Sequence, residues 1–269
     1  MRHALFLAPF DALSEPALLV DLAGRAEAAG WDGFFLWDHI TYRDPVVALA
    51  DPWIALAAVA QATERLRLGP MITPPARRRP WKLAREVTTL DRLSAGRVTL
   101  GLGLGSDNSK ELSGYGEELD ARRRAGMLEE SLDLLEQCWS GAPVQLDGEH
   151  YTVDTKPFAP RPVQDPRPPI WLASRGEAKR PLRRAARYEG WFPIELAGPD
   201  ALRAGIEEIA AIRAAEGLPP AFDVACTTDD HEDHRPWAAA GATWWLHGFG
   251  LTPDRADVER TIAAGPPDD

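Results

Sequence analysis

The sequence predicts an α/β barrel of eight strand–helix units, and three observations support this fold class. Short apolar runs alternate with amphipathic segments along nearly the whole chain. The runs are continuously apolar, which is typical of strands that are covered on both faces. The chain has 269 residues, a usual length for such a barrel as one domain. We therefore expect a single domain over residues 1–269, with parallel strands inside and helices outside.

Four strand–helix units fill the first half of the chain. The predicted strands cover residues 3–8, 32–37, 66–72 and 97–104, and the predicted helices cover residues 16–29, 52–62, 80–93 and 119–139. Ser14 is the expected N-cap of the first helix, and Gly30 is its expected end. Asp51 is expected to cap the second helix, because Pro52 suits the first helical position.

An insertion over about residues 140–168, after the fourth helix, interrupts the repeating pattern. It holds two short alternating segments around Asp147 and Gly148, which predict a hairpin turn, and then a proline-rich return. Four more units follow, with strands at residues 169–173, 191–194, 222–226 and 243–246 and helices at residues 177–188, 199–216, 230–239 and 253–263.

Composition narrows the classes of partner. A net charge of −11 argues against nucleic acid or an anionic membrane, since both require a basic surface. Cys138 and Cys226 are too few and too far apart for a disulfide framework. No apolar stretch approaches the roughly 18 residues of a membrane span, and no signal peptide is recognisable. We expect a cytoplasmic protein that acts on a small molecule.

The polar residues after the second strand are the first catalytic candidates. In an eight-unit barrel, the active site lies at the carboxyl ends of the strands. His39 is placed there as a possible general acid or base, and Asp38 could fix its tautomer. The plainer interpretation is a strand-end histidine that a neighbouring carboxylate satisfies.

Alternating glycines mark the end of the fourth strand. The segment GLGLGSD lacks the third glycine of a dinucleotide-binding loop, because Ser106 stands in that place. Glycines within a strand permit the close approach of a flat ligand to the backbone. Gly103, Gly105, Ser106 and Asn108 are therefore predicted to line a cofactor.

Other mouth residues suggest anion binding. Ser174, Arg175 and Gly176 are expected to open the fifth helix, where backbone N–H groups, a hydroxyl and a guanidinium could hold a phosphate. The same residues could simply be an N-cap. The run Arg77–Arg79 could attract an anionic ligand or could be a solvated loop.

Three residues on the later strands are candidates for a substrate pocket. These are Trp191, Trp245 and His247, for which burial in the core is the alternative. The motif His231-x-x-His234 lacks a convincing third ligand, so we expect no metal site.

Five segments of the chain together carry a resemblance to a known family. They are AEAAGWDGFFLWDHI (26–40), DPWIALAAVAQATERLRLGPMITPPARRRPWKLARE (51–86), LDRLSAGRVTLGLGLG (90–105), YTVDTKPFAPRPVQDPRPPIWLAS (151–174) and RRAARYEGWFP (183–193). These segments are similar to the luciferase-like flavin-dependent oxidoreductases, a superfamily that includes bacterial luciferase, flavin monooxygenases and deazaflavin-dependent reductases. The resemblance covers about residues 3–247 and implies a TIM barrel with an insertion between the fourth helix and the fifth strand.

The resemblance also implies roles for individual residues. Asp38 and His39 would lie against the ring of a flavin, and His39 would exchange a proton with the reacting centre. Pro70 and Met71 would form a non-proline cis peptide behind the ring, and Thr73 would offer its hydroxyl to the cofactor. Residues 174–176 would hold the flavin's phosphate.

The implied activity is a monooxygenase that uses reduced FMN and oxygen on a small organic substrate, with a flavin reductase as a possible partner. The alternative within the family is hydride transfer with the deazaflavin coenzyme F420. An alternative of another class is a cofactor-free barrel that binds a ligand or partner. Deazaflavin sugar-phosphate dehydrogenases carry a glutamate where Ser106 stands, which argues against a sugar phosphate. The family also implies a homodimer.

Overall fold

The computed structural model describes residues 1–175, 179–228 and 233–267. Its strands are β1 (Arg2–Leu7), β2 (Gly33–Leu36), β3 (Arg67–Pro70), β4 (Leu100–Leu102), β5 (Val144–Asp147), β6 (Thr152–Thr155), β7 (Ile170–Arg175), β8 (Gly190–Ile194), β9 (Asp223–Thr228) and β10 (Trp244–Gly248). Its α-helices are α1 (Pro16–Ala28), α2 (Pro52–Ala62), α3 (Pro80–Leu93), α4 (Ala121–Ser140), α5 (Lys179–Ala185), α6 (Pro199–Ala215), α7 (Arg235–Ala240) and α8 (Arg255–Ala264).

Eight of the strands form one parallel sheet in the order β3-β2-β1-β10-β9-β8-β7-β4. Two isolated parallel bridges, Leu68 with Val98 and Thr73 with Leu102, join β3 to the β4 segment and bring the sheet round on itself. A helix follows each of these strands. The predicted (β/α)₈ barrel is therefore confirmed.

Aromatic side chains fill the barrel interior. Trp171 lies 5.4 Å from Trp244 and 5.5 Å from Phe35, measured between ring centroids. The opposite faces of the strands pack under the helices, in a larger apolar layer. The buried interior cluster consists of Ala4, Phe6, Phe35, Met71, Trp171, Phe192, Ala225, Trp244 and Leu246.

The insertion after α4 is a hairpin of β5 and β6, as predicted. Its turn is longer than expected, because Asp147 pairs with Thr152 and four residues lie between them. The carboxylate of Glu130 on α4 accepts hydrogen bonds from the backbone of residues 149–151, and it closes this wider turn. The hairpin is thus fastened to the helix before it.

One of the two N-caps predicted from the sequence is present in the structure, and the other is not. Asp51 accepts a hydrogen bond from the backbone N–H of Ile54 at 2.9 Å, so the cap predicted for α2 is confirmed. Ser14 is not the cap of α1, which Glu15 precedes directly. The Ser14 hydroxyl donates to the carbonyl of Asp11 and ends a short 3₁₀ turn instead.

Among the described residues, no helix is both long and apolar enough to cross a membrane. Cys138 and Cys226 are both free and buried.

Candidate active site

His39 is paired with Glu111 at the carboxyl-terminal opening of the barrel, which we call the mouth. Nδ1 of His39 lies 2.6 Å from Oε2 of Glu111, which comes from the loop after β4. The other oxygen, Oε1, accepts the backbone N–H of Ile40 at 2.7 Å and Nη1 of Arg77 at 2.8 Å. The Glu111 side chain is 5% exposed and that of Arg77 is 3% exposed. Three loops therefore meet in one buried contact.

The carboxyl of Glu111 is held in its charged form. Burial by itself raises the pKa of Glu111. The hydrogen bond from His39, the nearby His39 and Arg77 charges and the N–H of Ile40 outweigh burial and hold that pKa below its usual value. An ionised carboxylate thus faces His39.

Asp38 does not pair with His39, contrary to the interpretation from the sequence. Its carboxylate accepts hydrogen bonds from Arg78, from Nε1 of Trp53 at 3.0 Å and from the hydroxyl of Thr73 at 2.5 Å. Successive residues of an extended chain point in opposite directions, so Asp38 faces the barrel wall when His39 faces the mouth. The hydroxyl of Thr73 thus donates to Asp38, whereas the resemblance implied a contact with the cofactor.

Two of the arginines that follow β3 form ion pairs with carboxylates of the site. Arg77 donates to the backbone carbonyl of Asp38 at 2.6 Å as well as to Glu111. Arg78 contacts the carboxylates of Asp38 and, at 3.5 Å, Glu86. Arg79 is exposed and immediately precedes α3. The basic run therefore neutralises two buried carboxylates, which the sequence pattern did not predict.

Aromatic rings surround His39. The ring centroids of Tyr42, Phe10 and Trp37 lie 4.7, 5.8 and 5.9 Å from that of His39. Trp37 is only partly buried, and its Nε1 has no hydrogen-bond partner within the described residues. One side of the imidazole thus meets an apolar wall with one unsatisfied donor.

An apolar floor closes the mouth above the interior cluster. Partly buried side chains cover that cluster, and they come from the ends of β2, β3, β7 and β8: Trp37, Ile72, Ala173 and Ile194. A flat apolar ring fits such a floor, and the indole N–H of Trp37 offers it a polar contact. The residues present therefore fit a flat, flavin-type ring.

The non-proline cis peptide is one bond further along than the resemblance suggested. It joins Met71 to Ile72, and not Pro70 to Met71. The peptide N–H of Met71 donates to the carbonyl of Leu36, and Ile72 lies on the floor of the mouth. Met71 itself belongs to the barrel interior.

Gly101 in β4 and Gly103 just after it make room for the two residues that follow β3. A Cβ at Gly101 would lie 2.6 Å from Sδ of Met71, and a Cβ at Gly103 would lie 2.8 Å from Cδ1 of Ile72. Both distances are shorter than real contacts. The sequence predicted that these glycines allow a ligand to approach the backbone closely. The structure shows that they allow Met71 and Ile72 of the adjacent segment to approach it.

The loop after β4 carries the remaining predicted cofactor residues. Gly105 has a φ of +69° and lies against Pro74, where a side chain would be strained and crowded. Ser106 is half-buried and Asn108 is exposed. These three residues lead directly to Glu111, so the loop that was expected to touch the cofactor also supplies the partner of His39.

Two of the three predicted phosphate residues lie at the end of a strand. Ser174 and Arg175 are the last residues of β7. The hydroxyl oxygen of Ser174 accepts a hydrogen bond from Nε1 of Trp191 at 2.8 Å, and Arg175 forms an exposed ion pair with Glu195 at 2.8 Å. Gly176 lies outside the described residues. The phosphate site remains a prediction.

Two of the predicted pocket residues face the helices. Trp191 packs on Gly205 of α6, and Trp245 lies 6.2 Å from Trp237 of α7, between ring centroids. Both belong to the apolar layer between strands and helices. Their strand neighbours Phe192 and Trp244 point inward, because side chains alternate along a strand.

His247 also lies outside the barrel interior. Its Nε2 is 3.1 Å from Nδ1 of His3, and its ring contacts Trp31 edge-on at 4.7 Å between centroids. The three residues predicted for the pocket therefore lie on the outer faces of their strands and do not point into the barrel. Within the described part of the chain, no group of three or more His, Cys, Asp or Glu residues is arranged to hold a metal.

Glu111 is the site residue that sequence reasoning missed. It lies three residues after Asn108, the last residue predicted to line a cofactor. Its partner His39 is 72 positions earlier, so no local pattern joins the two. The available signal was an acidic residue in the loop after the fourth strand, and Asp107 in the same loop gives the same signal.

A histidine–carboxylate pair beside an apolar floor at the mouth of an eight-stranded barrel stands where barrel enzymes have their active sites. The luciferase-like monooxygenase family model matches residues 6–265. The chain belongs to this luciferase-like family, whose members are oxidoreductases that use flavin-type cofactors.

Relatives differ in the cofactor that their names carry. An F420-dependent glucose-6-phosphate dehydrogenase of Nakamurella multipartita is 33% identical over 242 residues, which cover 83% of this chain and 69% of the relative. The structure of a coenzyme F420-dependent tetrahydromethanopterin reductase from Methanopyrus kandleri matches with a TM-score of 0.78 and 17% identity, covering 98% of this chain and 96% of that one.

A third similar protein has been solved with FMN bound. It is the oxygenating constituent of 3,6-diketocamphane monooxygenase from Pseudomonas putida, solved in complex with FMN. The TM-score is 0.71 at 21% identity, and the match covers 84% of this chain and 66% of that one. The two structural likenesses show the fold.

Proposed function

We propose that the protein transfers a hydride between coenzyme F420 and a small organic substrate, with His39 exchanging the accompanying proton. The observation that carries this proposal is the 2.6 Å contact between His39 and the buried Glu111 at the edge of the apolar floor. F420, when bound, gives or takes the hydride. A proton must then move to or from the substrate, and a strand-end histidine at the mouth suits that step.

The chain's own residues would divide the remaining tasks. Trp37, Ile72, Ala173 and Ile194 would support the ring and exclude water below it. In the oxidation of a substrate hydroxyl to a carbonyl, the bound cofactor would supply the hydride acceptor, and His39 would take the proton from the hydroxyl oxygen. Glu111 would stabilise the imidazolium formed on His39.

The choice of F420 is supported by the relative of Nakamurella multipartita, which is named for that coenzyme. A sugar phosphate is not the proposed substrate. Ser106 stands where the resemblance places a glutamate in the sugar-phosphate dehydrogenases. Arg77 and Arg78 are already paired with Glu111 and Asp38.

The second candidate is a monooxygenase that uses reduced FMN and oxygen. The family's description as luciferase-like monooxygenases and the shared fold with an FMN-containing oxygenase favour it. His39 suits this chemistry as well, and a flavin reductase would then be a partner. Only the cofactor separates the two candidates.

Anaerobic absorbance titration of the purified protein with oxidised F420, oxidised FMN and reduced FMN tests the proposal. We expect saturable binding of F420 at micromolar concentrations and weaker binding of both FMN forms. Tight binding of reduced FMN with weak binding of F420 would favour the monooxygenase. Binding of none would contradict both enzymes and leave the cofactor-free binding barrel.

A matched pair of histidine variants tests the role of His39. We expect His39→Gln to retain F420 binding and to lose about 10²- to 10⁴-fold in hydride transfer, the usual contribution of a general acid or base. His150→Gln, in the hairpin of β5 and β6, is the control and should keep its activity. Unchanged turnover in His39→Gln would remove His39 from the reaction.

A further inference from the structure

The two oxygens of the Glu111 carboxylate have different partners. Oε1 accepts two hydrogen bonds, from the backbone N–H of Ile40 and from Nη1 of Arg77. Oε2 contacts Nδ1 of His39 at 2.6 Å. The donors on Oε1 belong to two different loops, so they fix the rotation of the carboxylate and direct Oε2 at the imidazole.

This arrangement determines which imidazole nitrogen carries the proton. An ionised carboxylate can only accept hydrogen bonds. Because the Arg77 guanidinium and the Ile40 N–H bind Glu111 as a carboxylate, Nδ1 of His39 must be the donor in the 2.6 Å contact. In the neutral imidazole, Nε2 then keeps its lone pair and is the nitrogen left for the substrate.

The other groups described around His39 are aromatic rings, a cation that lies over one of them and a carboxylate with partners of its own. Phe10, Trp37 and Tyr42 meet it as rings. Arg43 lies over the ring of Tyr42, 5.8 Å from its centroid. The carboxylate of Asp38 is bound to Arg78, Thr73 and Trp53, as described above. Among the described residues, Glu111 is thus the carboxylate that bonds His39.

We propose that Glu111, itself held by Arg77, is a positioning residue that sets the tautomer of His39 and so makes Nε2 the proton acceptor at the mouth. The proposal rests on the proposed proton-exchange role of His39. Glu111 acts through His39 and needs no contact with the substrate. Arg77 acts one step further back, because it fixes the carboxylate.

The variant Glu111→Gln distinguishes this role from simple packing. The side-chain oxygen of glutamine would face the two donors at Ile40 and Arg77, because both require an acceptor. Its NH₂ group would then face Nδ1 of His39 as a donor. We therefore expect the tautomer to invert, with the proton on Nε2 and the lone pair directed away from the mouth. The same exchange in a serine-protease triad gives the wrong tautomer and a large loss of kcat.

Nitrogen-15 NMR of cofactor-free protein with labelled histidine reads the tautomer directly. The chain has 6 histidines, and His39→Gln assigns the signal of His39. In neutral His39 we expect the proton on Nδ1 in the wild type and on Nε2 in Glu111→Gln. Glu118→Gln is the matched control. Glu118 lies in the same loop, and its carboxylate pairs with exposed Arg123 at 3.0 Å. Its His39 signal should match that of the wild type.

Kinetics provide a second measurement. If F420 is the cofactor, we expect Glu111→Gln to lower kcat by about 10²- to 10⁴-fold with little change in cofactor binding. A proton on Nε2 of wild-type His39, or an unchanged tautomer in folded Glu111→Gln, would overturn the proposal. The wild-type spectrum alone decides the matter if the variant does not fold.

The tautomer measurement needs no cofactor, so it fails independently of the proposed function. A protein that shows the inversion but binds neither F420 nor FMN would contradict the proposed function and retain the role of Glu111. A protein that transfers hydride, but whose Glu111→Gln variant keeps the wild-type tautomer of His39, would retain the proposed function and contradict the role of Glu111.

Discussion

Arg78 donates two hydrogen bonds to the carboxylate of Asp38, at 3.1 and 2.9 Å, one residue before His39. The Asp38 side chain is 2% exposed, and that of Arg78 is 21% exposed. The pair therefore forms part of the wall that supports the mouth. Adjacent residues thus have different partners: Asp38 pairs with Arg78 in the wall, and His39 pairs with Glu111 at the mouth.

We expect Asp38→Asn to lower the free energy of unfolding by about 2–3 kcal/mol, because it leaves a largely buried guanidinium without its counter-charge. Urea unfolding measures the change. Asp21→Asn is the control, since Asp21 pairs with Arg25 at 3.4 Å on the surface, and its loss should be below about 1 kcal/mol. Equal effects would show that Asp38 is not a structural support.

Two glycine substitutions should change stability in opposite directions. A Cβ at Gly69 would overlap the backbone carbonyl oxygen of Thr99 on the neighbouring strand segment, so Gly69→Ala should cost about 3 kcal/mol or more. Gly24 lies within α1 with open space around it, so Gly24→Ala should add about 0.5–1 kcal/mol. Thermal unfolding measures both changes. A tolerated Gly69→Ala would show that β3 can move away from its neighbour.

Neither cysteine should react with a thiol reagent in the native protein. Burial raises the pKa of Cys138 to about 11 and that of Cys226 to about 12, so almost no thiolate is present at pH 8. We expect no release of colour from Ellman's reagent at pH 8, and reaction of both thiols after unfolding in guanidinium. Rapid reaction of the native protein would show that one of the two is exposed by local opening.

Glu27 should make stability depend on acid. Its carboxylate accepts the backbone N–H groups of Glu64, Arg65 and Leu66. Burial opposes ionisation, but these hydrogen bonds together hold the pKa of Glu27 below its usual value of 4.5. A lowered pKa stabilises the fold at higher pH, and this contribution is lost as the pH falls through the folded-state pKa.

The matching experiment compares Glu27→Gln with the wild type across pH. We expect the variant to be about 1 kcal/mol less stable at pH 7, after allowance for solvent screening. The difference should shrink as the pH falls below 4.5. A constant difference down to pH 3 would show that the ionisation of Glu27 does not contribute.

Local chemistry explains which elements could be predicted. The apolar runs and the proline after Asp51 indicate strands and a helix start without reference to distant residues, and the structure confirms them. Ser14 shows the limit of this reasoning. Its hydroxyl is used by the preceding 3₁₀ turn, which the sequence pattern did not reveal.

The face on which a strand residue lies was harder to infer. Trp191 and Trp245 were predicted for the pocket, but each faces the helices, whereas their neighbours Phe192 and Trp244 point inward. Both faces of these strands are apolar, so the sequence holds no alternation that distinguishes inside from outside. Pairing register distinguishes them, and register is a property of the assembled sheet.

The amino-acid sequence alone was sufficient for the barrel, its insertion and the placement of His39 at the mouth, because these follow from periodicity within short segments. The assembled fold was needed to identify Glu111 as the partner of His39, 72 positions away, and to turn Asp38 toward Arg78. Which donor a carboxylate binds depends on the distance to that donor and on how far both groups are buried. Those quantities exist only after the loops following β2, β3 and β4 have been brought together.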